Sequence, residues 1–169
     1  MGGGSWDSSA YTTATSARVA AGIDAFDYAN QVRSGRASGI HPTLDPKQMA
    51  NPDPGRYQFP LRESRDSVEH PNSVPVAIIF DVTGSMGGIP RVLQEKLPRL
   101  MDVIIDKSGL SDPQVLVGAV GDSYSDRYPF QAGQFESDNR FDEQLRNIIL
   151  EGGGGGQSKE SYALAYRFA

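Results

Sequence analysis

The chain has 169 residues, a formal net charge of −5, 19 glycines, 11 prolines and no cysteine. This length suits one domain, with or without an extension, and the lack of cysteine excludes disulfides, zinc–thiolate sites and a cysteine nucleophile. The negative charge without a basic patch argues against general nucleic-acid binding, and no apolar stretch reaches the ~18–20 residues of a membrane-spanning helix.

Residues 1–73 are predicted to form an irregular extension rich in proline and glycine. Residues 1–15 are mainly Gly, Ser, Thr and Ala and are expected to be flexible. Residues 36–73 contain six of the eleven prolines, which indicates a long irregular strap. The N-terminus lacks the basic start and apolar core of a secretory signal, so we expect a cytoplasmic protein.

One helix is predicted inside this extension, over residues 16–34. Val19, Ile23 and Phe26 share one face at helical spacing, and Gly35 is a suitable residue to end the helix. We expect this helix to dock on the surface of the domain that follows.

From residue 74 onward, apolar runs alternate with amphipathic segments, and we predict an α/β domain over residues 74–169. Pro98 lies inside its first helix, where it should remove one backbone hydrogen bond and kink the helix. The predicted strands are Val76–Phe80, Val115–Val120 and about Phe130–Phe135, the last as an antiparallel edge strand, and the predicted helices are about Pro90–Lys107, about Phe141–Leu150 and one from about Lys159.

The most informative segment is residues 76–86. Its apolar start suits a strand buried on both faces, and Pro90 suits the first turn of a helix. Asp81, Thr83 and Ser85 therefore fall on the turn at the carboxyl end of the strand, which is where open α/β sheets bind ligands. One carboxylate and two hydroxyls are hard oxygen ligands that suit Mg²⁺, with Mn²⁺ or Ca²⁺ as alternatives. The competing interpretation is an aspartate that caps the following helix.

The run Asp81-Val82-Thr83-Gly84-Ser85 resembles the Asp-x-Ser/Thr-x-Ser motif of von Willebrand factor A (vWA) domains, which opens a metal-ion-dependent adhesion site (MIDAS). Three later segments resemble the family in the same order: a strand with a trailing acidic loop, the end of a third strand, and a glycine-rich loop, at residues 116–122, 135–138 and 152–161. The resemblance implies a Rossmann-like vWA fold, with a mostly parallel sheet flanked by helices.

The chain also departs from the family. A vWA domain normally continues with a further strand that ends in an aspartate, and then with more helices and strands. This chain stops at Ala169, inside the helix after the glycine-rich loop. We therefore interpret residues 74–169 as the first half of a vWA domain, incomplete at the C-terminus and apparently truncated after the third helix.

The resemblance implies additional metal ligands. Ser158 aligns with family members that present a threonine after the glycines, and Glu160 with members that present a Pro-Glu pair. The alternative is an N-cap serine with an acidic first turn. Asp122 follows the second strand at the same edge of the sheet and is a candidate for direct or water-mediated contact with the metal, the alternative being a turn aspartate.

The function implied by the resemblance is a non-enzymatic module that binds protein partners through Mg²⁺. Few direct carboxylates leave the cation under-neutralised, so an acidic side chain of a partner is expected to complete its coordination. Intracellular vWA proteins often work beside AAA+ ATPases, which makes such an ATPase the suggested partner.

Two enzyme classes and one scaffold role are the alternatives. Serine hydrolysis is disfavoured because Thr83 stands where the nucleophile elbow needs glycine, and residues 74–169 contain no histidine base. A strand that ends Phe-Asp-x-Thr-Gly resembles metal-dependent phosphatases of the haloacid-dehalogenase type, with Asp81 as nucleophile, although Thr83 stands where those enzymes carry a second acid. The third alternative is a truncated scaffold that binds no metal.

Overall fold

The structure is a computed structural model, and it describes residues 4–49, 62–86, 88–151 and 161–168. These residues form an α/β fold, as predicted, built on a small sheet of three strands. The helices are α1 (Ser8–Ala20), α2 (Asp27–Arg33), α3 (Ile89–Asp102), α4 (Arg140–Arg146) and α5 (Tyr162–Phe168), the strands are β1 (Ser73–Asp81), β2 (Asp112–Val120) and β3 (Phe130–Ala132), and short 3-10 helices span Pro46–Met49 and Gly84–Met86.

The sheet is mixed and has the order β1-β2-β3. Strands β1 and β2 are parallel over their whole length, from the pair Ser73–Asp112 to the pair Asp81–Val120. Strand β3 pairs antiparallel with β2, which confirms the predicted antiparallel edge strand. Because β1 and β2 run in the same direction, their carboxyl ends meet at one edge of the sheet.

Strand β2 is buried on both faces, and each face meets different helices. Val115, Val117 and Ala119 belong to an apolar cluster that also contains residues of α1, α2, α3 and α4. Val120 belongs to a second cluster with β3 and α5, which includes Phe130 and Ala165. The near-continuous apolar sequence of β2 follows from this two-sided burial. None of the described helices has the length and apolar character needed to cross a bilayer.

The N-terminal region differs from its prediction, because two helices replace the single helix expected over residues 16–34. The chain turns between them at Gly22, whose φ of +69° suits glycine. Residues 8–15, which were expected to be flexible, belong to α1. The Asp7 side chain caps this helix by accepting hydrogen bonds from the backbone N–H groups of Ser9 and Ala10 at 2.8 and 2.9 Å.

Helix α1 is held against α3 by a hydrogen-bonded unit that we name the Tyr11–Gln94 clamp. Pro98 has no N–H group, so the carbonyl of Gln94 lacks its normal donor four residues later. The Tyr11 hydroxyl donates to this carbonyl at 2.6 Å, and the Gln94 side-chain Nε2 donates to the Tyr11 oxygen at 3.0 Å. Pro98, which was predicted to remove one backbone hydrogen bond from α3, thus leaves a carbonyl available to accept the hydrogen bond from α1.

Several predicted boundaries in residues 74–151 also shift. Both parallel strands begin three residues earlier than predicted, and α3 ends at Asp102, followed by a π-helical turn at Val103–Lys107. Strand β3 ends at Ala132 and not at about Phe135 as predicted. The backbone N–H of Gln134 donates to the Gln144 side chain and is therefore lost to strand pairing. Helix α4 ends at Arg146 because the Gln131 side chain bonds both the N–H and the carbonyl of Ile149, each at 2.9 Å.

The outer edge of β3 is covered by the strap. The backbone N–H of Ala132 donates to the carbonyl of Leu44 at 2.9 Å. Arg62 is buried and donates to the carbonyls of Ala132 and Thr43 at 2.8 and 3.0 Å. Burial lowers the pKa of Arg62 to about 10, so its guanidinium stays charged at neutral pH. These contacts satisfy groups that an edge strand would otherwise leave unpaired.

His70 joins the N-terminal residues to the start of β2. Its Nε2 lies 2.8 Å from the Gly4 carbonyl oxygen, and its Nδ1 lies 3.3 Å from Oδ1 of Asp112. Both partners are acceptors, so only the imidazolium form donates to both. The hydrogen bond to Gly4, followed by the interactions with Asp112, raises the pKa of His70.

We expect the His70 contacts to weaken as pH rises. A raised folded-state pKa means that the stabilisation is fully present below the unfolded-state value of about 6.5 and is lost as pH rises through the folded-state value. Between pH 6 and 8, the unfolding free energy of the wild type should fall relative to that of His70→Gln, by less than about 1 kcal/mol because the pair is near solvent. Urea denaturation at each pH measures this difference.

His41 provides a control, because its contribution to stability should change with pH in the opposite direction to that of His70. Burial lowers the pKa of His41, so its contribution is present above the unfolded-state pKa and is lost as pH falls through the folded-state value. The wild type should therefore gain stability relative to His41→Gln over the same rise in pH. A wild type that gained stability relative to His70→Gln as well would contradict the assignment of a charged His70.

Candidate metal centre

The carboxyl edge of β1 and β2 brings together two of the predicted site residues. Asp81 ends β1 opposite Val120, and the N–H of Val82 donates to the Val120 carbonyl at 2.9 Å, which continues the pairing past the strand. Asp122 follows Val120 by two residues. The parallel register therefore places Asp81 and Asp122 at the same edge of the sheet, as their spacing after two apolar strands predicts.

Three oxygen-bearing side chains at this edge are almost completely buried. Asp81 is 6% exposed, Thr83 4% and Asp122 2%. The backbone N–H of Thr83 donates to Oδ1 of Asp81 at 2.6 Å, so Asp81 forms a local turn that holds the Thr83 backbone beside it. Asp81 does not cap α3, because the N-cap position is Gly88 and carries no side-chain hydrogen bond.

Asp122 has the hydrogen bonds of a turn aspartate. Its Oδ1 accepts from the backbone N–H of Tyr124 and its Oδ2 from the Ser125 hydroxyl, each at 2.9 Å. Its own N–H donates to Oδ2 of Asp126 at 2.7 Å. A carboxylate offers about four lone-pair positions, so these two bonds leave acceptor capacity on both oxygens.

Asp126 lies beside the candidate site, and the glycine at position 121 makes room for it. A Cβ atom at Gly121 would lie 2.5 Å from Oδ2 of Asp126, the atom that accepts the Asp122 N–H. The absence of a side chain at this position therefore allows Asp126 to close the loop. No sequence pattern links Asp126 to the Gly121-Asp122 pair, so this contact could not be predicted from the sequence.

The segment after the glycine-rich run returns to the same edge. The backbone N–H of Ser161 donates to the Gly121 carbonyl at 3.0 Å, and its hydroxyl accepts from the N–H of Ser123 at 2.9 Å. Helix α5 therefore begins beside the end of β2. Ser158 and Glu160, the ligands implied by the resemblance, lie outside the described residues, as does the Ser85 side chain. Sequence reasoning did not single out Ser161.

The described residues supply no cation that balances the charges of Asp81 and Asp122. Within the part of the chain that the structure describes, neither Asp81 nor Asp122 forms an ion pair with Lys, Arg or His. The same residues contain no group of three or more Asp, Glu or His side chains that would hold a metal by themselves. A metal at this edge would therefore take hydroxyl oxygens together with carboxylates, which is a ligand set that suits Mg²⁺.

Comparison of the chain with models of protein families, with curated proteins and with solved structures gives no match.

Proposed function

We propose that this chain is a metal-ion-dependent protein-binding module of the vWA type. Asp81, Thr83 and Ser85 hold Mg²⁺ directly or through water, with Mn²⁺ or Ca²⁺ as alternatives. Asp122 contributes from the second strand, and Glu160 or Ser158 from the glycine-rich loop. The proposal extends the observed α/β fold to a Rossmann-like vWA fold and assigns the chain no enzymatic activity.

The observation that carries the proposal is the burial of two carboxylates that pair with no cation among the residues the structure describes. Asp81 and Asp122 lie at the same sheet edge, are 6% and 2% exposed, and form no ion pair among the described residues. Burying a carboxylate is costly unless it is paired or coordinates a metal. A divalent cation bound by both Asp81 and Asp122 offsets the free-energy cost of burying these two carboxylates.

The remaining chemistry of the edge suits recognition of an acidic partner. A cation held by hydroxyls and few carboxylates keeps a net positive charge, so a partner's Asp or Glu completes its coordination. Helix α3 begins nearby at Ile89 without a side-chain cap, and its N-terminus adds positive potential. By resemblance, the partner class is an AAA+ ATPase, and the proposed setting is the cytoplasm.

The test is thermal unfolding in Mg²⁺ and in chelator for the wild type and Asp81→Asn. Asparagine keeps the oxygen that accepts the Thr83 N–H but removes the charge. In chelator, Asp81→Asn should melt at or above the wild-type temperature, because a buried unpaired charge is gone. In Mg²⁺ the order should reverse, because only the wild type gains stability from the bound ion.

Asp106→Asn is the matched control, since Asp106 is exposed and lies before β2, away from the carboxyl edge. This variant should keep the full response to Mg²⁺. Equal melting temperatures in Mg²⁺ and chelator for the wild type would exclude metal binding and favour the scaffold role. Hydrolysis of an aryl phosphate that disappears in Asp81→Asn would instead replace the adhesion module with the phosphatase.

A further inference from the structure

A pocket lies beside β3, apart from the candidate metal centre. Its walls are α5 and the turn around Pro46, and its floor is formed by Tyr128, Pro129 and Phe130. The cavity volume is about 670 Å³, which falls within the range of small-molecule sites. Asp81, Thr83 and Asp122 do not line it, so it is separate from the candidate metal centre.

The apolar wall of this pocket is fixed by packing. Phe168 of α5 meets Phe130 edge to face, with ring centroids 5.2 Å apart and an interplanar angle of 67°. Ala165 is buried in one apolar cluster with Phe130 and Val120, and Leu164 and Phe168 pack against this cluster. A wall held in this way exists before a ligand arrives, so little ordering entropy is lost on binding.

The rim of the pocket carries an excess of positive charge. Lys47, Arg127 and Arg167 line it together with one carboxylate, Asp45. Asp45 faces the buried Arg62, whose pKa it raises against the effect of burial. The Lys47 and Arg167 side chains form no ion pair within the described residues.

Arg127 has an acidic neighbour outside the pocket. Glu151 interacts with Arg127 and does not line the pocket. The charge of Glu151 offsets that of Arg127, and the charge of Asp45 offsets that of Arg62. Lys47 and Arg167 therefore leave a net positive charge at the rim. This contrasts with the net charge of −5 of the whole chain.

We propose that this pocket binds a small organic anion with an apolar body, of the class of aryl or acyl carboxylates. The apolar body lies against Phe130, Leu164 and Phe168, and the carboxylate lies at the rim with Arg167 and Lys47. Arginine matches the planar geometry of a carboxylate and forms charge-assisted hydrogen bonds with it. A neutral ligand of the same shape uses only the apolar half of the site.

The test is fluorescence titration of the full chain with anilinonaphthalene sulfonate, an aryl anion whose emission rises in apolar sites. The probe should saturate a single site. Naphthoate should displace it, whereas naphthylmethanol, which has the same rings without the charge, should displace it much less. Equal displacement by both compounds would overturn the proposal, and so would binding that does not saturate.

Three variants locate the site on the surface. Arg167→Gln and Lys47→Gln should each weaken probe binding about fivefold to tenfold, as expected for the loss of one charge-assisted contact. Arg99→Gln, which removes a cation of α3 away from the pocket, should leave the affinity within about twofold. Unchanged affinity in both pocket variants, with cooperative melting retained, would show that the probe binds elsewhere and would overturn the proposal.

Discussion

We expect Gln114→Leu to lower the free energy of unfolding by about 2 kcal/mol, because it leaves the Arg65 N–H without a partner and leaves the Arg65 carbonyl with the Ser73 hydroxyl as its remaining donor. Gln114 is 2% exposed and uses every hydrogen-bonding position of its amide. Its Oε1 accepts from the Ser64 hydroxyl and the Arg65 N–H at 2.9 and 3.1 Å. Its Nε2 donates to the Arg65 carbonyl and the Ser73 hydroxyl, each at 3.0 Å.

Chemical denaturation of the wild type and Gln114→Leu measures this loss. Ser64→Ala is the matched control, because it removes one of the four hydrogen bonds and keeps the amide, and its loss should be smaller. Ser73→Ala should cost less in the Gln114→Leu background than in the wild type, since the two side chains share one hydrogen bond. A loss below about 1 kcal/mol for Gln114→Leu would mean that the amide does not anchor the strap to β2.

We expect Tyr11→Phe to lower the free energy of unfolding by about 2 kcal/mol. The substitution keeps the ring but removes the hydroxyl of the Tyr11–Gln94 clamp, so the Gln94 carbonyl and Nε2 lose their partner in a buried site. Equilibrium unfolding in urea gives the value. Tyr166→Phe removes an exposed hydroxyl and should leave stability unchanged within about 0.5 kcal/mol.

A double-mutant cycle tests why the clamp exists. Pro98→Ala restores a backbone N–H at position 98, which can donate to the Gln94 carbonyl inside α3. The cost of Tyr11→Phe should then fall by about 1 kcal/mol in the Pro98→Ala background. Equal costs in the two backgrounds would show that the Tyr11 hydroxyl does not substitute for the missing donor of Pro98.

The candidate site was predictable where local pattern decides position. Asp81 and Thr83 were placed at a strand end because an apolar run stops immediately before them and a helix-starting proline follows. Asp122 was placed at the same edge by the same logic. Its hydrogen bonds within its own loop, and the part played by Asp126, were not predictable, because loop geometry depends on which atoms a folded turn brings into reach.

The N-terminal residues show what sequence pattern misses. Residues 8–15 contain few apolar side chains, so composition predicted flexibility. They form a helix because Asp7 caps it and because Tyr11 finds an acceptor on α3, 83 residues away in the chain. Neither partner is recognisable from the spacing of residues within the segment itself.

By itself, the sequence determined the class of the fold, the succession of strands and helices after residue 74, and the turn that carries Asp81 and Thr83. These features depend on the spacing of apolar residues and on the positions of prolines, which determine local secondary structure over a few residues. Only the tertiary structure decided that residues 4–49 share the core, that glutamine side chains end or anchor backbone segments, and that Asp81 and Asp122 are buried without an ion pair to any described cation. Those outcomes depend on hydrogen bonds and burial between distant segments, which are set only when the chain is packed.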